Sequence, residues 1–379
     1  MAASNPPTLA PTTIKSVDSR RSAWAIGVRL SRVGSVESRK PTNPKVIAKG
    51  PAIETIAKVD RARGVARWLL RVGVSAGIIA YILVDVDNAD LRAALAAVKL
   101  GNLVLPLAIF LAGQALSGIK WGMLGRSVGL DRPWHEYIRF YYIGAFFNVF
   151  GLSTIGGDVV RGLYLGDGRR PVLALNSVIF DRITGLALLM ATGAAALIAF
   201  PQYDFPWILS AACIAGGLTL VVGWWTCPLL VRLLPVGNRL RRQVEDDLGP
   251  FWRDTGLLLR VSVVSIVFHM SQVAVQYYIA RAAGAELPFS YCMIIHPMLS
   301  LMMAMPVSIG GFGVREGGYL YFLTRIHIDD SIAVTMGILW FAMTAATGII
   351  GGMIFLLSGA ELPRLRARTQ TAERARGAA

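Results

Sequence analysis

A chain of 379 residues that is 54% hydrophobic and 16% charged, with a mean hydropathy of +0.54, is too apolar for a water-soluble globule, which carries nearer ~25% charge. A net charge of +15 and a pI near 10.2 raise nucleic acid as a partner. However, residues 1–67 hold 13 Lys/Arg against 4 Asp/Glu and residues 358–379 hold 5 against 2, so the tails supply 12 of the 15 charges. Basic tails around an apolar core point to an anionic leaflet surface and away from nucleic acid.

In chain order, residues 1–67 mix Pro, Ser, Thr and basic residues without a sustained apolar run. They read as a disordered cytoplasmic tail and as neither signal peptide nor span, and translation starting further in would also fit the sequence. Six segments then have the ~20 mostly apolar residues of a spanning helix: 68–85, 103–125, 173–200, 208–231, 256–280 and 332–357. Two more apolar stretches, 138–152 and 289–307, each run into a glycine pair and a second apolar piece, 158–166 and 312–324. These read as re-entrant helical hairpins. Residues 358–379 form a second basic cytoplasmic tail.

Cytoplasmic loops carry the excess of Lys and Arg. With the N-terminus inside and both hairpins returning to their face of entry, cytoplasmic segments collect 30 Lys/Arg, four of them in residues 120–139. Outer segments collect only Arg92, Lys99, Arg281 and Arg325, and Arg71, Arg161, Arg182 and Arg315 stay at membrane depth or its edge. The expected architecture is an all-α polytopic membrane protein of six transmembrane helices and two re-entrant hairpins, with both termini cytoplasmic.

The stretch Ile155-Gly156-Gly157-Asp158-Val159-Val160-Arg161 matches Ile309-Gly310-Gly311-Phe312-Gly313-Val314-Arg315 at five of seven positions and an offset of 154. Spans two and five, the two hairpins, and spans three and six are offset by 153, 151 and 159. That concordance argues against a chance match in a chain with 39 glycines. Three spans per half is an odd number, so an inverted repeat is expected (68–200 and 208–357), a recurrent transporter plan. The membrane domain is then 68–357.

Broken helix at membrane depth must be buried in protein or line a wet cavity. A helix starting just after Gly157 aims unpaired N–H groups at such a cavity, and Arg161, one turn in, leans back toward the same point. Gly310, Gly311, Gly313 and Arg315 repeat the device. The bland alternative is a tight turn with snorkelling arginines. Arg315 and Glu316 are adjacent in sequence and do not share a helix face, so the partner of Arg315 is expected elsewhere. Asp181 and Arg182 lie inside the third span and need partners: Arg161 or Arg315 for the acid, a headgroup or Asp158 for the base, with a structural clamp between repeats as the alternative. Their match in the sixth span is Trp340, so the symmetry fails there.

His269, Gln272 and Gln276 form one polar stripe on the fifth span, either lining a pathway or acting as interhelical glue. His296 precedes Pro297 as a pocket or kink residue. Met298, Met302, Met303 and Met305 suit adaptable packing, and the tryptophans fall mostly near span ends, as interfacial anchors do. Cys213, Cys227 and Cys292 show no CxxC spacing, and there is no HxxxH or HExxH pair and no nucleotide loop. No cofactor or metal is expected.

In this order, NVFGLSTIGGDVVRGLYL, SVIFDRITGLALLM and MPVSIGGFGVREGGYLYFL resemble the three signatures of the lysylphosphatidylglycerol synthase transmembrane family, also called flippase-like domain proteins. The resemblance covers about residues 65–358. It extends to the membrane half of the multiple peptide resistance factor, held to translocate aminoacylated phosphatidylglycerol, and other members are linked to glycolipid or hopanoid pathways. The resemblance places the family's motif residues on Gly156, Gly157 and Arg161, on Asp181 and Arg182, and on Gly310, Gly311, Gly313, Arg315 and Glu316. The soluble aminoacyl-transferase domain has no counterpart in these 379 residues, so the synthase name implies no activity here.

The leading expectation is a translocase or lipid-binding transporter of the bacterial inner membrane, acting on an aminoacylated, glycosylated or other polar-headgroup lipid with anionic or zwitterionic character. One alternative is a membrane-embedded lipid transferase with Asp158, Asp181 or Glu316 as base, although no nucleophile pairs with a base at a convincing spacing. The other is a non-catalytic membrane partner of a lipid-synthesis enzyme.

Overall fold

The computed structural model describes residues 86–150, 156–166, 170–203, 205–235, 254–304 and 311–358, with short pieces between 73 and 84 and between 238 and 251. The N-terminal tail, the C-terminal tail beyond Ser358, most of the expected first span, Arg71, Gly310 and Met305 lie outside these residues. Every element among the described residues is helical: α1 Asn88–Ala97, α2 Gly101–Ser127, α3 Trp134–Phe150, α4 Gly156–Gly166, α5 Pro171–Ala199, α6 Trp207–Arg232, α7 Thr255–Ala282, α8 Phe289–Ala304, α9 Val314–Leu323 and α10 Asp330–Leu357. The helices α2, α5, α7 and α10 are long and apolar enough to cross a membrane, and Trp207–Gly223 and Phe289–Met303 are shorter apolar helices. The ends of α2, α5, α6, α7 and α10 fall within two residues of the expected spans, because the flanking polar and Pro residues stop the apolar runs. Helix α1 lies between the first two expected spans, and Asp87 caps it by accepting the Ala89 N–H at 2.7 Å.

Large apolar side chains on the outer faces confirm the solvent these helices are built for. Ile179, Ile183 and Leu186 on α5 and Leu259, Val263, Ile266 and Val267 on α7 recur at three- and four-residue spacing and are all exposed. Such stripes would be unstable in water and are at home in lipid. The polar backbone of each helix is satisfied internally, leaving side chains to decide which helix meets which.

Both helix–break–helix pairs are antiparallel. Phe140 stacks on Tyr164, a Cβ on Gly144 would touch Arg161, and the Gly157 N–H donates to Asn148 Oδ1 at 2.9 Å. As the α3 number rises, the α4 number falls. In the second pair, Tyr291 donates to the Phe322 carbonyl, Leu299 abuts Gly318, and Met303 abuts Gly311.

Packing in one half has its counterpart in the other: α3 lies against α10 while α8 lies against α5, and α2 lies against α7. Small residues permit the approaches. A Cβ on Gly351 would strike the Tyr142 carbonyl of α3, and one on Gly193 would come within 2.8 Å of Pro297 of α8. The largest core cluster, with Phe110, Ile295, Tyr319, Met336 and Trp340, joins α2, α8, α9 and α10. Two tryptophans depart from the interfacial expectation. Trp121 is fully buried and donates to Ser177 Oγ at 3.1 Å, and Trp340 packs edge-on against Phe110. Each sits well inside its helix, whereas Trp134 and Trp207, at helix starts, are exposed.

Candidate functional site

The charged residues of the first half converge on one buried network. From α4, Arg161 reaches Asp181 of α5 (Nη2 to Oδ2, 3.0 Å) and Asp158 of its own first turn (Nε to Oδ1, 3.2 Å). From α5, Arg182 grips Asp158 bidentately, at 2.8 Å through Nε and 2.7 Å through Nη2. From α2, Lys120 completes the set, with Nζ 2.8 Å from Asp181 Oδ1 and 3.2 Å from the Asp181 carbonyl. Lys120, Arg161 and Asp181 are buried. The Arg161 guanidinium also lies 4.9 Å from the Trp121 ring centroid and 4.7 Å from that of Tyr141, so aromatic faces cover what the carboxylates leave.

Adjacent residues on a helix point about 100° apart. Asp181 therefore turns inward to Lys120 and Arg161, while Arg182 turns toward Asp158 and stays about half exposed. The two alternatives for the Asp-Arg pair resolve to Arg161 and Asp158. Lys120 is the correction: counted with the cytoplasmic loop 120–139, it lies inside α2 and is a core member of the network. Its position within an apolar run was the readable signal, since a lysine there must find an acid or reach water.

This network forms one wall of a cavity of about 370 Å³ lined by Lys120, Asp181 and Arg182, by Ser117 and Tyr141, by His269 and Gln272 of α7, and by His296 and Ser300 of α8. The polar stripe of α7 therefore divides. His269, bonded through Nε2 to the Gly185 carbonyl at 3.0 Å, and Gln272 face the cavity. Gln276 instead donates to the Tyr319 hydroxyl at 3.0 Å and ties α7 to α9. His296, the residue before Pro297, is a pocket residue.

The half-helix starts differ from expectation. Helix α4 includes Gly156 and Gly157, and its first turn is served from within the protein, by Asn148 at the Gly157 N–H and by the Asp158 carboxylate near the dipole end. Helix α9 starts later, after Gly311 and Gly313 with φ of +81° and +79°, a conformation that glycine adopts without a Cβ clash. The partner of Arg315 is its neighbour Glu316, contrary to expectation. Both occupy the first turn and lean back past its start, where Arg315 Nη2 meets Glu316 Oε1 at 2.8 Å and Glu316 Oε2 accepts the Gly313 N–H at 2.8 Å. At the N-terminus no preceding turn separates them, so the face argument that holds mid-helix fails. Arg315 also faces the Phe312 and Phe341 rings. No ion pair joins this group to the Arg161 network among the described residues.

Long apolar helices around a charged cavity define a multi-pass membrane protein. The chain belongs to the family described as lysylphosphatidylglycerol synthase TM region, which matches residues 68–352, well over half its length, and so to a family linked by its description to lipid metabolism. Among curated proteins, none matches the sequence.

Proposed function

We propose that this protein is a lipid translocase or lipid-binding transporter of a bacterial inner membrane, and that the cavity behind Lys120 and Arg182 receives the polar headgroup. The observation that carries this reading is the cavity itself: a cationic, hydrogen-bonding wall inside a bundle whose outer faces are apolar. Its volume is in the range of small-ligand sites, enough for a headgroup while acyl chains stay in lipid.

The membrane arrangement that accompanies the proposal has six spans and two re-entrant hairpins, related as an inverted repeat within 68–357, with cytoplasmic basic tails at 1–67 and 358–379. Supporting it, α4 and α9 have 11 and 10 residues, about 15 Å of helix against a hydrocarbon core of about 30 Å. The mirrored packing of α3 with α10 and of α8 with α5 supports the repeat. The anion-binding role suggested for Arg161 moves to its neighbours, because Arg161 is enclosed by two carboxylates and two rings, whereas Lys120 and Arg182 border the cavity.

A transferase using Asp158, Asp181 or Glu316 as base is less well supported. Each carboxylate is engaged by a cation, Glu316 by a backbone N–H besides. The test is scrambling of acyl-labelled phospholipids in proteoliposomes. The wild type is expected to exceed protein-free vesicles at least tenfold, and a folded Lys120→Met/Arg182→Gln variant to fall to background. Equal rates for variant and wild type would remove the cavity from the mechanism.

A further inference from the structure

Within that reading, we infer that the cavity selects a headgroup carrying one net negative charge, a phosphodiester whose remaining part is neutral and hydroxyl-bearing, and rejects headgroups with a net positive charge. Net charge and unused hydrogen-bond donors both point that way. Three cations, Lys120, Arg161 and Arg182, share two carboxylates, Asp158 and Asp181, so the network keeps one positive charge in excess with the histidines neutral. A proton on His269 or His296 would only add to it.

All four carboxylate oxygens are already engaged. Asp158 Oδ1 faces Arg161 and Arg182, Asp158 Oδ2 faces Arg182, Asp181 Oδ1 faces Lys120, and Asp181 Oδ2 faces Arg161. An ammonium entering the cavity therefore meets no unengaged carboxylate and adds a charge of the same sign at low dielectric. Donors, in contrast, remain. An ammonium carries three N–H groups and a guanidinium five, and Lys120 directs two contacts and Arg182 two at their acids. A phosphodiester oxygen can take the rest. Of the other lining groups, Ser117, Gln272 and Ser300 offer neutral hydrogen-bonding side chains suited to hydroxyls, beside the apolar Leu186, Leu189 and Phe268.

The experiment uses the full chain in proteoliposomes with three acyl-labelled probes: phosphatidylglycerol (net −1), phosphatidylethanolamine (net zero) and lysyl-phosphatidylglycerol (net +1). Initial rates are expected to fall in that order, by tenfold or more from first to last. Gln272→Glu places a third carboxylate on the wall and cancels the excess, so the anionic preference should collapse and the cationic probe should gain at least tenfold relative to phosphatidylglycerol. Lys120→Met should bring phosphatidylglycerol down to the zwitterion's rate. Equal rates for all three probes, or a lead for the cationic one, in the wild type would overturn the inference while leaving the translocase reading in place. No probe moving above protein-free vesicles would overturn that reading and the inference with it.

Discussion

The short helices α4 and α9 start within closely matching seven-residue stretches, 155–161 and 309–315, and use their arginines in opposite ways. In the first, Arg161 reaches out of its hairpin to Asp181 of α5, and Asp181 in turn holds Lys120 of α2, so three helices meet through charge at the edge of a cavity. In the second, Arg315 closes on its own neighbour Glu316 and on two phenylalanines. The span offsets explain the divergence. The positions matching Asp181 and Arg182 are Trp340 and Phe341, and the position matching Lys120 is Val273. With no acid at the matching positions of α10, Arg315 takes its counter-charge from the same turn. A repeated motif thus supplies a repeated cation, and its partner decides whether that cation organises a site or merely anchors a helix.

That contrast breaks most visibly at Asp181. Asp181→Asn leaves both Lys120 and Arg161 buried without their shared acid and should cost about 3–5 kcal/mol, read as loss of folded protein on heating in detergent. Adding Lys120→Met should recover part of the loss, because one stranded cation is removed. Glu316→Gln should cost less, about 1.5–3 kcal/mol for a charge-assisted bond, since the amide oxygen can still accept the Gly313 N–H and the rings still cover Arg315. Thermal melts of the two variants side by side would sharpen or erase the difference.

Backbone proximity gives a third comparison. Gly157→Ala would drive a methyl into the Gly144 carbonyl, with Asn148 within 2.7 Å, whereas Gly318→Ala meets only the end of Leu299 at 2.5 Å, a side chain that can turn away. The first should destabilise by about 1–3 kcal/mol and the second by less. The smallest effect is expected from Tyr319→Phe, which removes one neutral bond to Gln276 and should cost about 0.5–1.5 kcal/mol without altering lipid selectivity.

Element ends and the charged cast of the site were largely legible in the chain. Apolar runs of fixed length announced α2, α5, α6, α7 and α10, and the pairing of Asp181 and Arg182 was narrowed to two choices each. Three points escaped, for related reasons. Lys120 was assigned by loop counting although its neighbours are apolar, and only the position of α5 shows the acid that holds it. Arg315 and Glu316 were separated by a rule valid in mid-helix, whereas the glycine turn puts both at a helix start. His269, Gln272 and Gln276 share a face by periodicity, but which neighbour that face meets changes along the helix, with the cavity at one end and Tyr319 at the other. Periodicity reports which residues stand together, and tertiary packing decides what they stand against.

The most direct test of the cavity as headgroup site is photocrosslinking with a phospholipid carrying a diazirine on its headgroup, followed by peptide mapping. Adducts are predicted on cavity residues such as Tyr141, Phe268 and Ser300, and they should disappear in Lys120→Met/Arg182→Gln. Adducts confined to outward-facing residues such as Ile179 and Leu259, with the cavity unlabelled, would contradict the account.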